Sequence, residues 1–393
     1  MKQKIVIVGA GPAGSSLAIR LAKKDFAVTL IEREQFPRHK LCGEFISPEC
    51  LDHFASLGVL EKMTALGGDR VDKTIFYAQS GRSVTVPSSW FGAESALCLS
   101  RSEMDLQLLQ HAKSLGVLVY ESTSATGLLM DKGRIAGVAA RAVSGDPIRV
   151  DADIAVDATG RAAALSRLLA KTDLHAPHLT PVKPAFIGFK AHMKNASLER
   201  SRCEIYVFRG GYGGLTHVEG GVSNFCFLVR ADLVREFKSD AGKILNEIVM
   251  QNRRARITLA DAEAVTDWLA VSISGFGRKE LAPAPGLFAA GDAAAFIDPF
   301  TGSGMLIAFE SAELLARSIT GHPGSAIDMA RQYKREYSSR FAGRLRTAAL
   351  LRRAAFVPLL AAAAIGIAGG SSTIAGTLAR FTRGRSHSKF LER

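Results

Sequence analysis

The chain has 393 residues, 47% hydrophobic and 22% charged, enough apolar material for a large core spread over about two domains and an appendage. Five cysteines without a Cys-x-x-Cys pair give no sign of a disulfide framework or a zinc knuckle, which fits a reducing, cytoplasmic compartment. The formal charge of +13 sits mostly at one end: residues 326–393 hold thirteen Lys and Arg against three acids, a net of +10, which argues against nucleic acid and for one local anionic partner.

The opening MKQKIVIVGAGPAGSSLAIRLAKK has the basic start and apolar middle of a secretory leader, but its glycines give it a better reading. Residues 5 to 8 alternate β-branched side chains as a buried strand does, and Gly9, Gly11 and Gly14 follow at once, with Pro12 and Ala13 between them. In this G-x-G-x-x-G the first glycine permits a tight turn, the second lets backbone approach a pyrophosphate, and the third lets the following helix pack on the strand. A second strand ends at Glu32, whose carboxylate can accept both hydroxyls of an adenosine ribose, with Arg33 beside it. An acid there disfavours a 2′-phosphate, so the unit is expected to hold FAD or NAD.

The next loop, HKLCGEFISP, places Cys42, Gly43 and Glu44 close to the bound nucleotide. Gly43 would let backbone approach a cofactor ring. Cys42 would either pack on that ring or help to protonate or gate a substrate. Glu44 reads as an acceptor that anchors the loop, because a catalytic acid there would need burial to stay protonated.

Residues 181–275 read as antiparallel strands with glycine-rich turns: AFIGFKAHM, CEIYVFRGGYGGLTHVEGGVSNFCFLVR and AVSISGF. His39, His53, His111, His192 and His217 show no metal-ligand spacing, so no metal site is expected. No G-x-S-x-G elbow occurs.

A short strand from 287 to 290 runs into Gly291-Asp292, and after Pro299 the run Gly302-Ser303-Gly304-Met305 starts a long helix. Asp292 can bind a ribityl or ribose hydroxyl, and the amides of 302–305 can face an electron-rich pyrimidine edge. The helix N-terminus there would stabilise the negative charge that a flavin gains on reduction.

In the tail, Ala354 to Ala379 is a run of 26 residues without a charge, flanked by Arg352-Arg353 and by Arg380, Arg383 and Arg385. The length would permit a spanning helix. Alanine and glycine dominate it, however, and Pro358 and Gly369-Gly370 interrupt it, so the first expectation is two short helices packed on the nucleotide-binding domain. The second is an interfacial hairpin, residues 344–393 lying on anionic lipid at the inner face of the membrane.

The start, the 286–316 block and the intermediate VDATGRAAALSR resemble a group of FAD enzymes containing geranylgeranyl reductases, aromatic hydroxylases of the p-hydroxybenzoate hydroxylase type and flavin-dependent halogenases. The resemblance spans roughly residues 1 to 320. It implies an α/β fold: a Rossmann-like FAD domain of the glutathione-reductase type, formed by 1–70, 98–180 and 281–320, with an inserted antiparallel β-sheet substrate domain of 71–97 and 181–280. A helical tail, 321–393, completes the expected organisation. The resemblance also gives Arg101, in LSRSEMDLQLLQHAKSLGVLVYES, the contact to the FAD phosphate and ribose region, and places Gly160 at the cofactor.

Within that group, halogenases carry a W-x-W-x-I-P stretch and a catalytic lysine, and GGYGGLTHVEGG has neither tryptophan. Hydroxylases show Asp-Gly in the middle motif where this chain has Thr159-Gly160. Reductases of the geranylgeranyl type keep a Cys-Gly after the first unit and a Gly-Tyr-Gly followed by an asparagine, matched here by Cys42-Gly43, Tyr212-Gly213 and Asn224. Gly214 and Thr216-His217 depart from that pattern.

The resemblance therefore implies a reductase that moves hydride from reduced FAD to a C=C bond of a lipophilic isoprenoid, quinone or polyketide-like substrate, free or held on an acidic carrier protein. The alternative is a monooxygenase that hydroxylates an aromatic or polyketide-type compound through a flavin hydroperoxide. NADH, NADPH or another donor would supply the electrons, and Cys42, Tyr212 and His217 are the candidate catalytic groups.

Overall fold

Five parallel strands, in the order Leu287–Ala289, Ile154–Asp157, Lys4–Val8, Ala27–Ile31 and Leu118–Tyr120, form the first sheet. The strand Lys4–Val8 is buried from Ile5 onward because both its faces are covered. Ile5 and Ile7 pack among helices, whereas Val6 and Val8 meet Ile135 and Val138 of an antiparallel three-stranded sheet, 123–151. The computed structural model describes residues 2–172, 183–371, 373, 376 and 377; the boundary expected at 180–181 and the end of the basic tail, 378–393, lie outside them.

The glycine turn has the geometry its spacing predicts. Gly9 has φ +103°, and a Cβ on it would come within 2.3 Å of Ala158 O. A Cβ on Gly14 would lie 1.8 Å from Gly9 O, so only glycine lets the helix Pro12–Ala22 sit this close to the strand before it. That helix packs in turn on the long helix Gly304–Gly321.

The second sheet has eight strands among the described residues and runs 263–264, 186–194, 223–230, 211–217, 202–208, 73–77 and 83–87, with 269–273 also pairing 186–194. Its members are antiparallel except that Lys73–Tyr77 runs parallel to Arg202–Phe208, which brings residues of the 71–97 segment into the wall built by 181–280. On one face Phe189, Tyr206, Phe225 and Phe227 pack with Ile244, Leu245 and Val249 into a second core.

The tail differs from the first expectation. Tyr333, Tyr337 and Phe341, four residues apart, form one helical stripe, so Ala326–Ala355 is a single helix of 30 residues packed on Gly304–Gly321. Glu310 ties the two together through Arg340 Nε at 3.0 Å and through buried Arg344. Pro358, which lacks an amide hydrogen and disfavours helical backbone before it, then opens a separate helix, Pro358–Gly369. This second helix lies on the large sheet rather than on the nucleotide-binding layer, with Ala361 and Ile365 against Ala78 and Val207.

Candidate active site

The carboxyl ends of the parallel strands converge. Val8 pairs with Ile31 on one side and Asp157 on the other, and Asp157 pairs with Ala289, so Gly9, Glu32, Ala158 and Ala290 leave the sheet at one level. That rim of an open α/β sheet is where ligands bind. A cavity of about 790 Å³ opens there and continues to the antiparallel sheet.

Its nucleotide end is built around Gly11. A Cβ on Gly11 would stand 3.7 Å from Arg101 Nη2 and 3.9 Å from Arg38 Nη2, so the backbone opens onto two guanidinium groups. Both are held by Asp105, fully buried, which accepts from Arg38 Nη1 at 2.8 Å and from Arg101 Nε and Nη2 at 2.8 and 2.6 Å. Glu32 accepts from Ala10 N at 2.8 Å and Glu34 N at 3.1 Å, which sets its carboxylate at the mouth of the turn. Two arginines pre-aimed at a bare glycine turn beside a helix N-terminus suit a pyrophosphate. Gly9, Pro12, Ala13 and Arg33 also line this end, whereas Gly14 serves the helix packing behind it.

At the other end of the expected cofactor site, Gly160, Asp292, Pro299, Gly302, Gly304 and Met305 line the cavity. Ser303 does not; it is fully buried and its hydroxyl turns back to Thr301 O at 3.3 Å. Burial pushes the Asp292 carboxyl up to about 6 against the pull of Arg101, Arg161 and Lys279. Tyr212 also lines the cavity, donating to Asp298 Oδ1 at 2.6 Å. Burial and that carboxylate push its phenol well above the usual value, so it stays protonated.

The Cys42 loop lies between the two domains and is tied to both. Glu44, fully buried, accepts from Arg101 N at 2.8 Å and binds Lys190 through Oε1, while its Oε2 meets His192 Nε2 at 2.8 Å. Asn224 Nδ2 donates to Cys42 O at 3.1 Å, and Lys190 Nζ to Lys40 O at 3.2 Å. Burial opposes ionisation of Glu44, yet His192 and Lys190 hold its carboxyl below the usual range. These contacts also hold Glu44 at φ +54°, a left-handed conformation that a residue with a side chain rarely adopts. Gly43 has nothing within 4 Å of a would-be Cβ, and Cys42 Sγ accepts from Glu44 N at 3.4 Å.

His217 stands apart from the cavity wall. Along Gly211–His217 the residues Tyr212, Gly214 and Thr216 line the cavity, and the two-residue period of a strand turns His217 to the opposite face. There its Nε2 meets Leu198 O at 2.9 Å and its Nδ1 meets Ser223 Oγ at 2.9 Å.

Beyond Cys42 the lining changes character. Phe76, Val84, Val86, Ile205 and Leu228 face the cavity with Cys203 and Cys226, whose thiols burial pushes up to about 12. Ala364, Ile365 and Ala368 of the helix Pro358–Gly369 close this end. All the charged lining residues belong to the Rossmann-side strand ends and loops: Glu32, Arg33, Arg38 and Lys40 before the Cys42 loop, Glu44 in it, and Arg101, Arg161, Arg167 and Asp292 after it. Among the described residues no cluster of His, Cys, Asp and Glu is arranged to hold a metal ion.

A dinucleotide cradle leading into an uncharged chamber defines an FAD-dependent oxidoreductase. The profile of the FAD binding domain family matches residues 2–336, and the chain belongs to that family. It is 28% identical over 321 residues to digeranylgeranylglycerophospholipid reductase of Methanosarcina mazei, spanning 80% of this chain and 74% of that one. It is 27% identical to tryptophan 2-halogenase of Chondromyces crocatus, over 86% of this chain and 65% of that protein. A geranylgeranyl bacteriochlorophyll reductase-like protein of Thermoplasma acidophilum superposes with a TM-score of 0.79 at 20% identity, covering 98% of this chain and 97% of that one. The flavin-dependent brominase Bmp2 shares the fold with a TM-score of 0.80 at 21% identity over 97% and 93% of the two chains.

Proposed function

We propose that the enzyme reduces a C=C bond of a lipophilic substrate. The observation that carries this reading is the far end of the cavity, walled by Phe76, Val84, Ile205, Leu228 and Ile365, which among the described residues has no charged group to compensate an ionic substrate but stabilises an apolar chain by burial. Reduced FAD, recharged by NADH, NADPH or another donor, would supply the hydride. Arg38, Arg101 and Glu32 would hold its nucleotide end, with Asp292 and the amides at Gly302 to Met305 toward its ring.

Saturating the bond needs a proton on the second carbon, and in this reading Cys42 would give it. Cys42 lines the cavity, and its Sγ accepts from Glu44 N at 3.4 Å. Water then reprotonates the sulfur, so the substrate gains two hydrogens and no residue is consumed. The likeness to digeranylgeranylglycerophospholipid reductase supports a substrate of isoprenoid type.

The halogenase relatives are weighed against the same wall. Among the described residues Lys40 is the lysine that lines the cavity, and it stands among Arg38, Arg33 and Glu32 at the nucleotide end; none of the described residues puts at the substrate end the lysine that halogenases of this group use.

Anaerobic incubation of the FAD-loaded, reduced enzyme with an isoprenoid glycerolipid tests the proposal by product mass. Gain of two hydrogens is the expected result. A product that forms only with oxygen and gains one oxygen atom would replace the reductase by the monooxygenase.

A further inference from the structure

The helix Pro358–Gly369 is apolar all round, PLLAAAAIGIAG, yet only one of its faces is covered. Ala361, Ile365 and Ala368, at helical spacing, are 4%, 7% and 9% exposed on the large sheet. Leu359, Leu360 and Ile367 point the other way and are 83%, 54% and 61% exposed. Val357 and Leu350, outside that helix, are 43% and 66% exposed as well. A helix that faces water on its outer side carries polar residues there; this one has none.

We propose that this outer face lies in the interfacial layer of an anionic bilayer. Its length decides between lying and crossing: twelve residues reach about 18 Å, against about 30 Å of hydrocarbon. Among the described residues no helix is long and apolar enough to cross. Charge decides which surface. The uncharged run 354–379 sits within a segment, 326–393, of net +10, the pattern of an apolar face at acyl depth with basic flanks at the headgroups. A second copy of the chain pairing through the same face would instead set two such basic segments against each other.

The placement has a consequence for access. Ala364, Ile365 and Ala368 of this helix line the uncharged end of the cavity, so one helix separates that chamber from the surface its other face contacts. A molecule dissolved in the bilayer passes into the chamber along the helix without crossing water. Only this route rests on the reading of the substrate as lipophilic; docking itself does not.

Flotation of the full-length, FAD-loaded protein with vesicles tests it. The protein is expected to float with phosphatidylcholine vesicles containing phosphatidylglycerol about tenfold more strongly than with pure phosphatidylcholine, and high salt is expected to narrow the gap. The double variant Leu359→Asp, Ile367→Asp is expected to keep its FAD and lose about tenfold in vesicle binding. Failure of the wild type to float, equal binding by the variant, or a dimer in solution that the variant splits would each overturn the proposal. The two readings fail separately: bilayer binding without reduction of any lipid would sink the reductase alone, and reduction in detergent without vesicle binding would sink the docking alone.

Discussion

His192 Nε2 stands 2.8 Å from Glu44 Oε2, and the contact crosses from the large antiparallel sheet to the loop that follows the nucleotide-binding unit. With Lys190 on the other oxygen, one carboxylate fastens the two domains beside Cys42. Glu44 also receives the backbone amide that begins the helix Arg101–Ser114, so the loop, the arginine that faces Gly11 and the substrate wall share one anchor.

Replacing Glu44 by Gln leaves Lys190 buried without its counter-charge and is expected to cost about 3 kcal/mol. Chemical denaturation of the FAD-loaded protein measures it. The pH dependence carries the sign. Because the folded carboxyl is held below its ordinary value of 4.5, its stabilisation is full above that value and is lost as pH falls through the folded one. Wild type therefore loses more stability on acidification than Glu44→Gln does.

Gly11→Ala and Gly14→Ala separate two uses of one motif. The Gly11 methyl meets side-chain ends at ordinary contact distance, so the apoprotein folds, but the methyl enters the arginine cradle and FAD binding weakens about tenfold or more. The Gly14 methyl would overlap Gly9 O, and that variant is expected to lose the fold of the first unit. Flavin fluorescence titration of the first and circular dichroism of the second check the contrast.

Cys42→Ala removes the proposed proton donor and little volume. FAD is expected to stay bound while product formation falls about a hundredfold. Unchanged turnover, read by product mass at several pH values, would leave the thiol a packing role only.

Ile365→Trp places a large ring in the apolar end of the cavity, far in sequence from the FAD motifs. The expected result is an unchanged flavin spectrum with turnover of long lipophilic substrates lowered about tenfold and short ones less affected. Equal loss for both lengths would mean that the helix does not bound the substrate.

What could be read from sequence was whatever depends on neighbours a few residues apart. The strand, the three glycines and the acid at Glu32 form a local code, and they occupy the places their spacing predicts. Asp105 had a usable signal, four residues after Arg101 on one helix face, but Arg38 comes from another segment and only the folded chain brings all three together. Lys190 and His192 alternate on one strand, as partners of a common group on one face do, yet the group they share lies almost 150 residues earlier. The parity of Gly211–His217 was legible as well: the same period that turns Tyr212 to the cavity turns His217 away. The roof by Ala364, Ile365 and Ala368 left no trace, because an alanine-rich helix packs equally well on many apolar surfaces.

The parallel pairing of Lys73–Tyr77 with Arg202–Phe208 bears on how the protein is made. The hairpin 73–87 leaves the ribosome long before the strand that will cover its edge. Until then Thr74, Ile75, Phe76 and Tyr77 present an unpaired, β-prone edge to every other nascent chain nearby. Slow translation or a surplus of unfinished chains should therefore favour aggregation through this hairpin, and a holding chaperone should help most in the interval before Arg202–Phe208 emerges.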